Sequence, residues 1–255
     1  MKRMRLTEAR TRAGGFSPKL AWFGLFVTIG GVLAARFGDV GSWPVIAVIC
    51  TGWMLSAIAL LLAITGLVVV WRQGLRGATA AMHGFVISCL ALAWPAILAA
   101  QIWRSPDQTD LSTDTFSPPA FATTARAAAG RSGFVPPPAP PVQRAAADQA
   151  RLMALPLFLD QQPADALKAA ETAALSLGWT LTDTVDAPDG GGQFEAVARS
   201  DLLRFPQYVA VRVRPTADGA QLDVRVVSVF GRYSPGSGVQ RILDLHEAVQ
   251  AVDEG

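Results

Sequence analysis

The sequence predicts a membrane α-helical protein with three transmembrane helices and a small α+β domain, a four-stranded antiparallel sheet with two helices on one face. Three observations predict it. Residues 1–104 contain three long apolar segments. Charge divides at the same place: residues 1–104 hold 10 Lys/Arg and 2 Asp/Glu, and residues 105–255 hold 12 Lys/Arg and 18 Asp/Glu. Beyond residue 160, a helical period, four strand-like runs and a second helical period succeed one another. The predicted divisions are a basic tail (1–19), a three-helix membrane region (20–104), a leader and Ala/Pro-rich linker (105–150) and the α+β domain (151–255).

Leu20–Ala35 is apolar and uncharged, and is slightly short for a hydrocarbon core of about 30 Å. Phe16 and Phe37 extend it while Lys19 and Arg36 snorkel. A cleaved signal peptide is the competing reading; two further spans and the lack of a clear small-x-small cleavage site weigh against it. Val45–Trp71 and Ala80–Trp103 are the second and third spans. Trp22, Trp43, Trp71 and Trp103 stand near the predicted ends, where an aromatic belt would place them. Gly30/Ala34 and Gly31/Ala35 allow close helix packing, which a three-span bundle needs whether or not it dimerises. His83 reads as an interfacial histidine rather than a proton relay. No charged residue lies within a predicted span, which argues against a transporter or ion pump.

Orientation follows from the short flanks. The tail has Lys2, Arg3, Arg5, Arg10, Arg12 and Lys19, the loop after the second span has Arg72 and Arg76, and the other side has Arg36 and Arg104. This asymmetry predicts a cytoplasmic N-terminus. Three crossings then place residues 105–255 outside, in the periplasm of a cell with two membranes. The basic residues sit at membrane edges and the globular part is acidic, so nucleic acid is excluded as a partner. Both cysteines, Cys50 and Cys89, lie in apolar segments and leave the domain without a disulfide.

Residues 122–150 read as a semi-rigid spacer with polyproline geometry at Pro136–Pro138 and Pro140–Pro141, rather than as an SH3-type ligand. Pro163 opens a helix to about Leu177, with Ala166, Leu167, Ala170, Ala174 and Leu175 as its apolar stripe and Gly178 at its end. Strand-like runs cover Trp179–Thr184, Gln193–Arg199, Tyr208–Arg214 and Gln221–Phe230, separated by turn residues. A last helix, about Gly238 to Val252, carries Val239, Ile242, Leu243, Leu245, Ala248 and Val249. Alternation turns Phe194, Ala196, Ala198, Val209, Val211, Val213, Leu222, Val224 and Val226 toward the helices. Thr180, Thr182, Glu195, Arg199, Arg212, Arg214, Asp223 and Arg225 then share the opposite face. That face reads as a solvated sheet surface or as an arginine platform for an anionic ligand.

Two stretches carry a resemblance: "DLSTDTFSPPAF", Asp110 to Phe121, and "RVVSVFGRYSPGSGVQRI", Arg225 to Ile242. Together they resemble the bacterial family known as domain of unknown function 1499, many of whose members have three N-terminal spans. Arg225, Ser228, Gly231, Gly236, Arg241 and Ile242 match its second motif and Glu195 its strand acid. Val226, Val229, Ser234 and Gly238 depart from it, and Gln207 and Tyr208 occupy a stretch where the family usually has acids. If those polar positions form a site in relatives, this chain lacks that activity or binds something else. The candidate ligand-binding residues are Glu195, Arg212, Arg225, Ser228 and Arg241. Their guanidinium groups suit carboxylate or phosphate. The structural alternative pairs Arg225 with Glu195 across strands, and Arg241 with Asp244 or Glu195. Asp110, Thr113, Asp114, Pro118, Pro119 and Phe121 form a structural leader, with Asp and Thr capping turns, the prolines stiffening the adjoining chain and Phe121 docking on the domain.

No catalytic residue, metal ligand or cofactor is assigned. His246 shares its stripe with no acid or nucleophile, and no G-x-S-x-G elbow or phosphate loop is present. The residues leave enzymatic activity open and weigh against it. The expected role is an inner-membrane protein displaying a periplasmic binding or scaffolding domain in envelope maintenance. Its partners are the lipid bilayer and an envelope protein or anionic ligand, and its oligomeric state is open. The alternative is action on an anionic lipid or phosphate-bearing substrate through Arg225, Arg241 and Glu195.

Overall fold

The computed structural model describes residues 12–38, 40–74, 77–104, 110–114, 116–122, 155–201, 203–228 and 237–253. The basic tail before Arg12, most of the Ala/Pro-rich linker and positions 229–236 of the second motif lie outside them. The chain forms two compact units, Met1–Ala100 and Gln101–Gly255.

The first unit consists of α1 (Arg12–Phe37), α2 (Ser42–Gln73) and α3 (Ala78–Arg104). All three helices are long and apolar enough to cross a membrane. Phe23, Phe26, Leu33, Leu61, Leu90 and Ile97 point outward, so the apolar surface runs round each helix instead of forming one stripe, the pattern of a helix solvated by lipid. Small residues bring the backbones together. A Cβ on Gly24 would meet Ser56 and the Gly52 carbonyl, and one on Gly52 would meet Thr28 and the Gly24 carbonyl. Of the predicted small pairs, Gly31/Ala35 serves this contact: Gly31 abuts Ile49 and Ala35 is buried, whereas Gly30 has open space around it. Ala21, Ala59 and Ile87 close the centre of the three helices.

The second unit is built from β1 (Asp110–Ser112), β2 (Leu157–Leu159), α4 (Pro163–Ser176), β3 (Thr180–Asp186), β4 (Gly192–Arg199), β5 (Pro206–Thr216), β6 (Gly219–Ser228) and α5 (Ser237–Asp253). Among the described residues the sheet has six strands, not the four expected. Its order is β1-β6-β5-β4-β3, with β2 also on β6. The two additional strands are three residues each, too short for a period-2 pattern to declare itself. Both run antiparallel to β6 along the same edge: β1 pairs with Val227 to Arg225, and β2 with Leu222 to Ala220. They are collinear halves of one edge, separated in sequence by residues 113–156. Between them they cover backbone groups that an open edge would present to other chains.

The core lies between the sheet and the two helices. Phe194, Val209, Val211, Leu222, Val224 and Val226 pack with Ala166, Ala170, Ala173, Ile242, Leu245 and Val249. Pro163 starts α4 at a position where a missing N–H costs nothing, and Gly178 follows it at φ 73°. Leu175, expected in the apolar stripe, is exposed, and Ala169 and Ala173 are buried in its stead. The alternation of β4, β5 and β6 is as expected. That of β3 is not: a bulge between Leu181 and Asp183 breaks the register. Beyond it, Asp183 and Val185 join the outer face opposite Glu195 and Gln193, and Thr184 turns to the helix side, donating to Glu171. A bulge adds one residue to one strand and so reverses every later side chain.

Candidate functional site

The outer face of the sheet is neither a bare solvated surface nor an open arginine platform. Residues 110–114 and 116–122 lie across it as a strap. After β1, Thr113 keeps the ladder going by one more step, donating its N–H to the Val224 carbonyl while its hydroxyl accepts from the Val224 N–H. The Ser112 hydroxyl donates to the Asp114 carbonyl, and Asp114 Oδ1 accepts from the amides of Phe116 and Ser117. This Asx turn bends the chain off β6. The strap then crosses β5 and β4, reaching Gln193 through the Ala120 carbonyl and Glu195 through the Ala122 amide.

Each arginine under the strap has a partner from it. Arg225, with no exposed surface, grips Asp110 through two bonds, Nε to Oδ1 at 3.0 Å and Nη2 to Oδ2 at 2.7 Å. Its Nη1 donates to the Pro119 carbonyl, and the Phe121 ring lies 5.1 Å from the guanidinium carbon. Phe121 itself packs on Tyr208, Ala210 and Val227. Beside this cluster, Arg212 and Arg214 both hold Asp114 Oδ2 and Asp223 Oδ2, at 2.7 to 3.1 Å. Burial alone would raise the Asp114 carboxyl. The Ser117 and Phe116 amides and the two guanidinium groups outweigh it and hold the carboxyl below its ordinary value.

Glu195 departs from this pattern. It is 3% exposed, and its Oε1 accepts from Ala122 while its Oε2 is buried with no hydrogen-bond partner. Burial, with the Asp183 charge opposite on β3, raises its carboxyl above the ordinary range. Glu195 lines an open groove of about 510 Å³ between strap residues Ala120–Ala122 and the β3–β4 end of the sheet. Arg212 lines the same groove, and its Nε is also buried without an acceptor.

The candidate residues therefore separate. Glu195, Arg212 and Arg225 share the outer face. Arg241 and Ser228 belong to the helix side, because Ser228 continues the inward alternation of β6 opposite Gln207. Arg241 on α5 donates to Gln207, the Arg199 carbonyl and Asp201, and pairs with Asp244 at 3.5 Å. The expected pair of Arg225 with Glu195 is not formed: Asp110 takes the guanidinium, and the Ala122 amide takes the carboxylate. Arg241 does not meet Glu195, since the sheet stands between them. His246 on α5 is lowered to about 4 by burial and so is neutral near pH 7. Asp183 and Val185 are groove residues that sequence reasoning misses, because the bulge that turns them outward leaves no mark in the periodicity. Asp110 is legible as part of the leader, but its role as the arginine's counterion depends on a contact 115 residues away in sequence.

No curated protein and no solved structure matches the chain. The model of one family, described as a protein of unknown function (DUF1499), matches residues 110–249. The match begins at the first residue of the strap and ends within α5, so it takes in the strap together with the sheet it crosses, and on it the chain belongs to the DUF1499 family.

Proposed function

We propose that this protein is a multi-pass protein of the bacterial inner membrane that displays its DUF1499 domain in the periplasm as a binding or scaffolding module of the cell envelope. The observation that carries the orientation is the odd number of candidate spans combined with the bias of Lys and Arg toward the tail and the second loop. Only residues 105–109 stand between α3 and the first strand of the sheet. The strap thus makes part of the leader a piece of the fold. Binding is supported by the groove beside the strap. The anionic-substrate reading draws no support from the geometry, since Arg225 is closed by Asp110 and Arg241 lies on the other side of the sheet.

Fusions at Gly255 test the display. Alkaline phosphatase should be active there, and a fluorescent protein that matures only in the cytoplasm should stay dark. Fluorescence without phosphatase activity would overturn the reading and send the search to cytoplasmic partners.

A further inference from the structure

We infer that the strap is exchanged between copies of this chain: the strap of one copy closes the outer face of a second, whose own strap closes the first. The inference concerns assembly, and it holds on whichever side of the membrane the domain stands.

The strap is a separable layer. Its ring, Phe121, belongs to a small cluster with Tyr208, Ala210 and Val227, apart from the core between the sheet and the helices. Of the described strap residues, Leu111 joins that core. Lifting the strap therefore leaves the packing of Phe194, Val211 and Leu222 against the helices in place. The seat it leaves is demanding. It offers a backbone ladder from Arg225 to Val227, a fork on Arg225 that takes both oxygens of Asp110, and Arg212 and Arg214 on Asp114. It also holds a ring beside the Arg225 guanidinium. An empty seat forfeits all of these together, so the strap leaves in exchange for an equivalent segment. The structure shows one segment that meets every demand, the strap itself, and a second copy carries it unchanged.

The connection does not dictate which copy is closed. A short hinge would force the strap onto its own sheet. Residues 123–154 stand between the strap and the described chain before β2, and the entropy of closing so long a connection changes only slowly with its length. Exchanging an identical element keeps every contact, which makes it a low-cost route to a dimer. The three candidate spans confine copies to one plane, where they meet often.

The test places two forms of the full chain in one membrane, both with Cys50→Ala and Cys89→Ala. One carries Ala120→Cys in its strap and the other Gln193→Cys in its seat, because the Ala120 carbonyl accepts from the Gln193 side chain. A short bismaleimide should join them as a dimer. Adding Asp110→Asn to the Ala120→Cys form should cut the dimer about tenfold, because the seat then chooses between a strap with the charged bond and one without it. Moving the second cysteine to Leu175, exposed on α4 behind the sheet, should abolish the dimer. A single chain with both Ala120→Cys and Gln193→Cys is the control for folding. Internal joining in that chain without any dimer in the mixture would overturn the inference. So would a dimer unchanged by Asp110→Asn, or one equally strong at Leu175→Cys. The display reading would survive each of these results, since the Gly255 fusions decide it separately.

Discussion

Arg225 carries a full charge with no exposed surface, and the fold tolerates it because Asp110 meets two of its donors in the plane of the fork. Removing one member of such a pair leaves an uncompensated buried charge, a loss of about 3–5 kcal/mol. Asp110→Ala should lower the stability of the domain by that order, whereas Asp201→Ala, which removes the exposed partner of Arg241, should cost far less. Thermal unfolding of both variants beside the unsubstituted protein checks the contrast, and equal losses would deny Asp110 its special position. Glu195 gives a prediction of opposite character. Its carboxyl is raised in the folded state, so the fold favours its protonated form. That contribution is complete below the unfolded value near 4.5 and is lost as pH rises through the folded value. The stability of Glu195→Gln relative to the unsubstituted protein should therefore increase with pH over that window and then level off. A difference that stays constant across a pH series of melting curves would show that Glu195 does not titrate with folding. Arg225 and Glu195 are visible in the sequence as charged residues in alternating strands. Their partners are not, because both come from the strap, and neither periodicity nor local spacing reports contacts 115 and 73 residues away.

At the scale of elements, the strap is the piece that closes the outer face. It supplies an edge strand, an Asx turn, two carboxylates and an aromatic plug within residues 110–122. Deleting Asp110–Phe121 should leave β3–β6 and the two helices with their shared core but take Asp110 from Arg225 and leave Arg212 and Arg214 to share Asp223. The deleted protein should be cut by a soluble protease at concentrations that spare the intact chain, and unchanged protection would reduce the strap to a passive tether. The long elements are legible for identifiable reasons. About 20 apolar residues suffice to announce a span, and five or more alternating positions announce a half-buried strand. β1 and β2 offer three residues each, and what makes them strands is the unpaired edge of β6, which belongs to another part of the chain. The bulge in β3 is equally silent, so alternation assigns the outer face two threonines, Thr180 and Thr182, where Asp183 and Val185 extend it beyond the break.

At the scale of the molecule, the two units divide the labour that the charge pattern announces. The basic, apolar half forms three helices fit to cross a membrane, and the acidic half forms the sheet domain. The order in which the acidic half is synthesised now acquires a meaning. The strap leaves the ribosome first, and β6, the strand that receives it, emerges 115 residues later at the Asp110–Arg225 pair. At elongation rates of about 5–20 residues per second, the two are separated by roughly 6 to 23 seconds. During that interval Asp110 lacks Arg225, Asp114 lacks Arg212 and Arg214, and Phe121 lacks its seat on Tyr208, Ala210 and Val227. The segment that joins the domain to its anchor is thus the earliest made and among the last to find its place, and any chaperone or protease acting at that surface meets it before the sheet does.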